Sequence, residues 1–205
     1  MNPEIWLAFA GASAILLAMP GPTVTLVIGL TLASGRRAAW ASVPGVALGD
    51  FVAMSASLAG AGAILAASAT LFTVLKLAGA VYLVWLGVKL WRSSMAITPL
   101  TLRATPRPRG VFLQAFTVTA LNPKSIVFFV AFVPQFMAAD QPLLPQTTVL
   151  VATFVTLAAI NAALWVAFAG ALRTRMTRAS VRRWLDRAGG TLLIGAGLVT
   201  ALARR

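Results

Sequence analysis

The chain has 205 residues, of which 60% are hydrophobic and only 10% charged, and its mean hydropathy is +0.90. A soluble domain is nearer half apolar and a quarter charged, so this balance excludes a soluble globular fold and points to an integral membrane protein. The net charge is +13, with only Glu4, Asp50, Asp140 and Asp186 as acids. In a soluble protein that excess would suggest nucleic acid. Here the arginines lie between apolar runs, where the positive-inside bias puts them, so no nucleic-acid partner is expected.

Cysteine and histidine are absent, which removes disulfides, thiolate chemistry and the commonest general base and metal ligand. The opening "MNPEIW" lacks the basic region of a cleavable signal, so the first apolar run is read as a retained span. Six runs reach the roughly 20 residues that a bilayer-spanning helix needs. They lie at about 5–33, 39–66, 70–91, 111–138, 146–172 and 187–203. The expected fold is all-α, because a backbone in lipid must satisfy its own hydrogen bonds. Small residues, as in "LAGAGAILAASA", favour close helix packing.

The basic residues set the orientation. Arg36 and Arg37 follow the first run. Lys89, Arg92, Arg103, Arg107 and Arg109 surround the third connection, and Arg173, Arg175, Arg178, Arg182, Arg183 and Arg187 fall between the fifth and sixth runs. Only Arg204 and Arg205 lie on the opposite side, which predicts cytoplasmic basic loops and both termini outside.

Three runs precede the Pro- and Arg-rich linker and three follow it, as repeat one (about 1–92), a cytoplasmic linker (about 93–110) and repeat two (about 111–205). "MPGPTVTLVIG" falls opposite "LNPKSIVFFVA", and "DFVAMSASLAGAG" opposite "NAALWVAFAGAL". "LKLAGAVYLVWLG" falls opposite "LDRAGGTLLIGAG". With three spans in each half, the second half is inverted relative to the first, with broken helices 1 and 4, the pattern of secondary transporters.

Polar groups gather at the expected mid-depth: Pro20, Gly21, Pro22 and Thr23 in the first run, Asp50 in the second, Asn122, Pro123 and Lys124 in the fourth, and Asn161 in the fifth. The prolines remove backbone donors and split their helices, which leaves free carbonyls on one side and free N–H groups on the other. A buried aspartate needs a cavity or a partner, and two readings stand side by side: an ion pair with Lys124, or a coupling and ammonium-binding group. Asn161 either binds a ligand or holds two helices together. Lys76 lies near enough to the external end of its run to snorkel. Asp186 reads as a surface charge, most tryptophans as interface markers, and the aromatics of "SIVFFVAF" as core or lipid-facing.

"PGP", "GVALGD", "KLAGAVYLVWLGVKLW" and "NPKSIVFFVAFVPQF", in this order over nearly the whole chain, resemble the LysE/RhtB amino-acid exporter family. Where the family tends to have an aromatic before the basic position of the third span, this chain has Leu75. The resemblance implies a six-span inner-membrane exporter of a neutral amino acid or close derivative, homoserine/threonine exporter-like, driven by the proton-motive force with protons as coupling ion. It leaves a homodimer open, implies no cofactor, and points to Pro20, Gly21, Pro22, Asp50, Asn122, Pro123 and Lys124. The competing readings are weaker on chemistry. A metal-cation transporter would need more than one aspartate in a chain without histidine or cysteine. An enzyme would need a catalytic constellation that the sequence lacks, and no phosphate-binding loop for ATP occurs.

Overall fold

Proline, glycine and side-chain caps punctuate the helices of this computed structural model. It describes residues 2–19, 21–92, 107–138, 140–176 and 179–202, and within helices the side chains other than those of residues 65, 66, 90, 170–186, 189 and 192. Pro20, Arg103, Arg178, Arg204, Arg205 and most of the linker lie outside these residues. So do the side chains of Asp186 and of the other arginines from 173 to 183.

Helix α1 (Pro3–Ala18) starts where Asn2 accepts the Glu4 N–H at 2.9 Å. It ends ahead of "PGP", where two prolines have no N–H to continue the ladder. Helix α2 (Pro22–Ser34) resumes with proline in its first turn and is bent 51° from α1. Gly35 closes it with a φ of 79°, a conformation that favours glycine. A short basic helix, α3 (Arg36–Ala39), leads into α4 (Ser42–Ala67).

Ser68 turns the chain from α4 into α5 (Ala69–Arg92): its N–H donates to the Ile64 carbonyl at 2.8 Å, and its hydroxyl accepts the Leu71 N–H at 3.2 Å. After the linker come α6 (Pro108–Ala120) and α7 (Pro123–Val127), bent 42° apart. The chain then runs through a π turn at Phe128–Phe132 and a 3-10 turn at Val133–Phe136. Gln146 ties down the next connection, accepting the Ala138 N–H at 2.8 Å and donating to the Ala138 carbonyl at 3.0 Å. Helices α8 (Leu143–Met176) and α9 (Ala179–Leu202) complete the chain. Every element among the described residues is helical.

Three stretches, Arg36–Ile64, Ala69–Lys89 and Leu143–Ala169, are long and apolar enough to cross a membrane. Counting each bent pair as one span makes five. Among the described residues the sixth expected run is represented by a shorter apolar stretch, Leu193–Leu202.

Packing divides the helices into two tight seams. In the first, α4 lies on α6 through Gly45 and Gly49, where an added Cβ would come within 2.6 Å of the Phe112 carbonyl and 2.9 Å of the Phe116 carbonyl. In the second, α5 lies on α9, where Gly87 and Gly190 each face the other's carbonyl at 2.6 Å from the added Cβ. The run "LAGAGAILAASA" behaves differently from expectation. Gly60 and Gly62 have nothing within 4 Å of an added Cβ, and Ala59, Ala61 and Gly62 instead line an open groove. A small side chain permits close approach only where a second backbone arrives to use the space.

The aromatics of "SIVFFVAF" are core. Phe128, Phe129 and Phe154 are fully buried, and the Phe129 and Phe154 rings meet edge to face at 4.8 Å. Trp6, Trp40, Trp85 and Trp91 are all exposed, as interface anchors should be.

Candidate functional site

A proline four residues past a carbonyl leaves that carbonyl without its helical donor. Leu16 is in this position relative to Pro20. Its carbonyl instead accepts from the Lys124 ammonium at 3.0 Å. The neighbouring Leu17 carbonyl, left open where α1 stops, accepts from the Asn161 side-chain amide at 3.1 Å. Two residues of the second half thus close the broken helix of the first. A cation suits that helix end, which carries partial negative charge.

The second break is closed locally. The Asn122 side chain accepts the Lys124 N–H at 3.1 Å and caps α7, with Pro123 in its first turn. The Leu121 N–H returns to the Thr117 carbonyl at 3.1 Å. The Asn122 amide also reaches the Thr23 hydroxyl at 3.4 Å, which lies 3.3 Å from that of Thr119. At the start of α2, by contrast, Gly21 supplies no side-chain cap, so its first N–H groups stay uncapped by any side chain.

These groups surround one cavity of about 30 Å³. Gly21, Thr23, Asp50, Asn122, Lys124 and Asn161 all line it. Asp50 is 2% exposed, and one of its carboxylate oxygens is enclosed with no hydrogen-bond partner. Among the described residues no ion pair joins it to Lys124, whose ammonium is turned to Leu16. The direct ion pair weighed for Asp50 is therefore not made, because the carbonyl left open by "PGP" takes the lysine. Pro22 and Pro123 are exposed and outside the lining, so they act through the breaks they impose.

Lys76 is 9% exposed, on the buried side of α5. No group of three or more His, Cys, Asp or Glu side chains gathers among the described residues.

Sequence reasoning missed Ser125, Trp165, Val46 and Ala158 in the lining. Helical spacing held the signal for two of them. Val46 lies one turn before Asp50 and Trp165 one turn after Asn161, on the same helix faces. Trp165 is 8% exposed and departs from the interface pattern of the other described tryptophans.

Residues 14–204 match the family model of the LysE type translocator. A homoserine/homoserine lactone efflux protein of Salmonella typhi is 32% identical over 204 residues, covering 100% of this chain and 99% of the relative. An uncharacterized membrane protein of Vibrio cholerae is 31% identical over 204 residues, covering both chains completely at 100%. A leucine efflux protein of an Enterobacter species is 28% identical over 203 residues, covering 98% of this chain and 95% of the relative. No solved structure matches the chain significantly.

Proposed function

Since the chain belongs to the LysE type translocator family, a family of transporters and not of enzymes, we propose that it is a secondary exporter of a neutral amino acid or close derivative. It sits in the bacterial inner membrane and exchanges substrate for protons by alternating access. The observation that carries this reading is the cavity itself: Gly21, Thr23 and Asp50 from the first half meet Asn122, Lys124 and Asn161 from the second. The relatives named for homoserine, homoserine lactone and leucine efflux support the substrate class.

The chemistry suits a zwitterion. Lys124 and the uncapped N–H groups at the start of α2 meet the substrate carboxylate. The unpartnered oxygen of Asp50 meets the ammonium. Matching both charges offsets their desolvation in a buried site. The other walls, including Leu17, Val24, Val27, Val46, Ala158 and Trp165, are uncharged. A charged substrate side chain would find no counter-charge there, which favours a neutral one. When the substrate leaves, Asp50 carries the returning proton.

A cavity of about 30 Å³ holds about one water. Small-molecule sites usually span about 300–1,000 Å³, so binding must widen it. Six spans in two inverted halves would do so by rocking about the site. The packing register supports that arrangement. "LKLAGAVYLVWLG" and "LDRAGGTLLIGAG" place Gly87 opposite Gly197 and Ala80 opposite Gly190. The close contact of Gly87 with Gly190 thus has a repeat-related mate, the contact of Gly197 with the Ala80 carbonyl, 2.7 Å from an added Cβ.

Resistance of expressing cells to toxic amino-acid analogues selects the substrate, and flux into proteoliposomes under an imposed pH gradient tests the reading. The expected result is gradient-dependent movement of a neutral amino acid. Gradient-driven movement of none of the neutral amino acids or their lactones overturns it. Both termini are placed outside, so single cysteines at 36, 105 and 180 should resist an impermeant reagent in intact cells. External labelling at 105 overturns that orientation.

A further inference from the structure

Two hollows lie along the same pair of antiparallel helices, α4 and α8. The polar cavity is lined from Val46 and Asp50 on α4 and from Ala158 to Trp165 on α8. A second hollow, of about 900 Å³, starts at Phe51 and Ser55 on α4 and at Val155 on α8, and runs towards the α4–α5 turn. Its walls carry no charged side chain, and its polar groups are hydroxyls such as Ser55, Thr73, Thr147 and Thr148.

Where the two linings come nearest along α4 and α8, Met54, one helical turn from Asp50, and Phe154, one turn from Ala158, belong to neither lining and are fully buried. Phe129, also fully buried, packs against Phe154. On the opposite side of Asp50 and Asn161 the cavity ends at Val27 and Trp165, both buried. These two layers are equivalent in the repeat. Aligning Asp50 with Asn161 puts Met54 opposite Trp165, and aligning Met19 with Leu121 puts Val27 opposite Phe129. An apolar layer has therefore been placed twice, once on each side of one polar site, by residues that correspond in the two halves.

We propose that Met54 with Phe129, and Trp165 with Val27, are the two gates of the transport path, and that the Met54 gate opens into the groove between α4, α5 and α8 as the exit. This rests on the exporter reading and its inverted halves. In such a protein, one rocking motion separates one layer as it closes the other. The π turn at Phe128–Phe132 places Phe129 on the exit layer and gives that layer a local element able to shift register.

The chain has no cysteine, so single-cysteine reporters need no altered background. Ser125→Cys places a thiol in the cavity. Its rate of modification by a small impermeant thiol reagent is measured from each side of the membrane. Met54→Ala should raise the rate at least tenfold from outside only, and Trp165→Ala at least tenfold from the cytoplasmic side only. Unchanged rates, or both variants acting from the same side, overturn the proposal. The milder Met54→Leu and Phe129→Leu should raise the outside rate less, in the same direction.

Ser55→Cys tests the exit with the core intact. Its modification from outside should stop efflux, whereas modification of Val149→Cys, exposed on α8 but outside the groove lining, should not. A Ser55→Cys thiol that resists the reagent, as in a lipid-filled groove, or an adduct without effect, overturns the exit. Modification rates need no substrate. Gates that respond in a protein that moves no amino acid would therefore refute the exporter reading and leave the gates standing.

Discussion

The two broken helices solve the same problem by different means. At "NPK" the chain caps itself: Asn122 accepts the Lys124 N–H two residues on. At "PGP" it cannot, because glycine and proline bring no polar side chain. The Leu16 and Leu17 carbonyls are closed by Lys124 and Asn161, more than 100 residues away in sequence. One break is a local structure and the other is a contract between the two halves of the molecule. If the halves move relative to each other, the first break travels as a unit, while the second must exchange partners. Lys124 holds a helix end with one of its three N–H donors while still lining the cavity.

The largest expected effect comes from removing the buried carboxylate. Asp50→Asn makes position 50 match Asn161. Export should fall at least a hundredfold, with the protein still in the membrane. Export at the wild-type rate and pH dependence would show that the carboxylate is dispensable.

Lys124→Met comes next. It removes the cation and leaves the Leu16 carbonyl unpaired, at about 1–3 kcal/mol of stability. Substrate affinity of the purified protein should fall at least tenfold, and far more than in Lys76→Met. Equal affinity in wild type and Lys124→Met returns "NPK" to a structural kink.

Asn161→Ala should cost about 1 kcal/mol, and about a threefold loss of affinity, by freeing the Leu17 carbonyl. Thermal unfolding in detergent reads the first and binding the second. No change in either would mean that water replaces the amide without penalty.

The smallest effect is expected at the self-capped break. Asn122→Ala should lower stability by about 1 kcal/mol, and Asn122→Ser should restore most of it, since serine is also a good cap. An Asn122→Ala loss larger than that of Lys124→Met would reverse the ranking of the two breaks.

The sequence alone determined that the chain is helical and apolar, where it breaks, and which polar residues sit inside apolar runs. Those properties are local: a proline lacks its N–H whatever surrounds it, and Asp50 is costly in any apolar segment. Proximity in sequence also made the cap at Asn122 a short-range matter. Tertiary structure alone decided which carbonyls Lys124 and Asn161 would close, that Asp50 would keep an oxygen unpartnered, and that Lys76 would turn inward. It also decided that Gly45 and Gly87 meet a neighbouring backbone while Gly60 and Gly62 meet none. A glycine or a lysine carries the same capacity at every position. What it does depends on which backbone arrives opposite it, and that is set by how the whole set of helices packs.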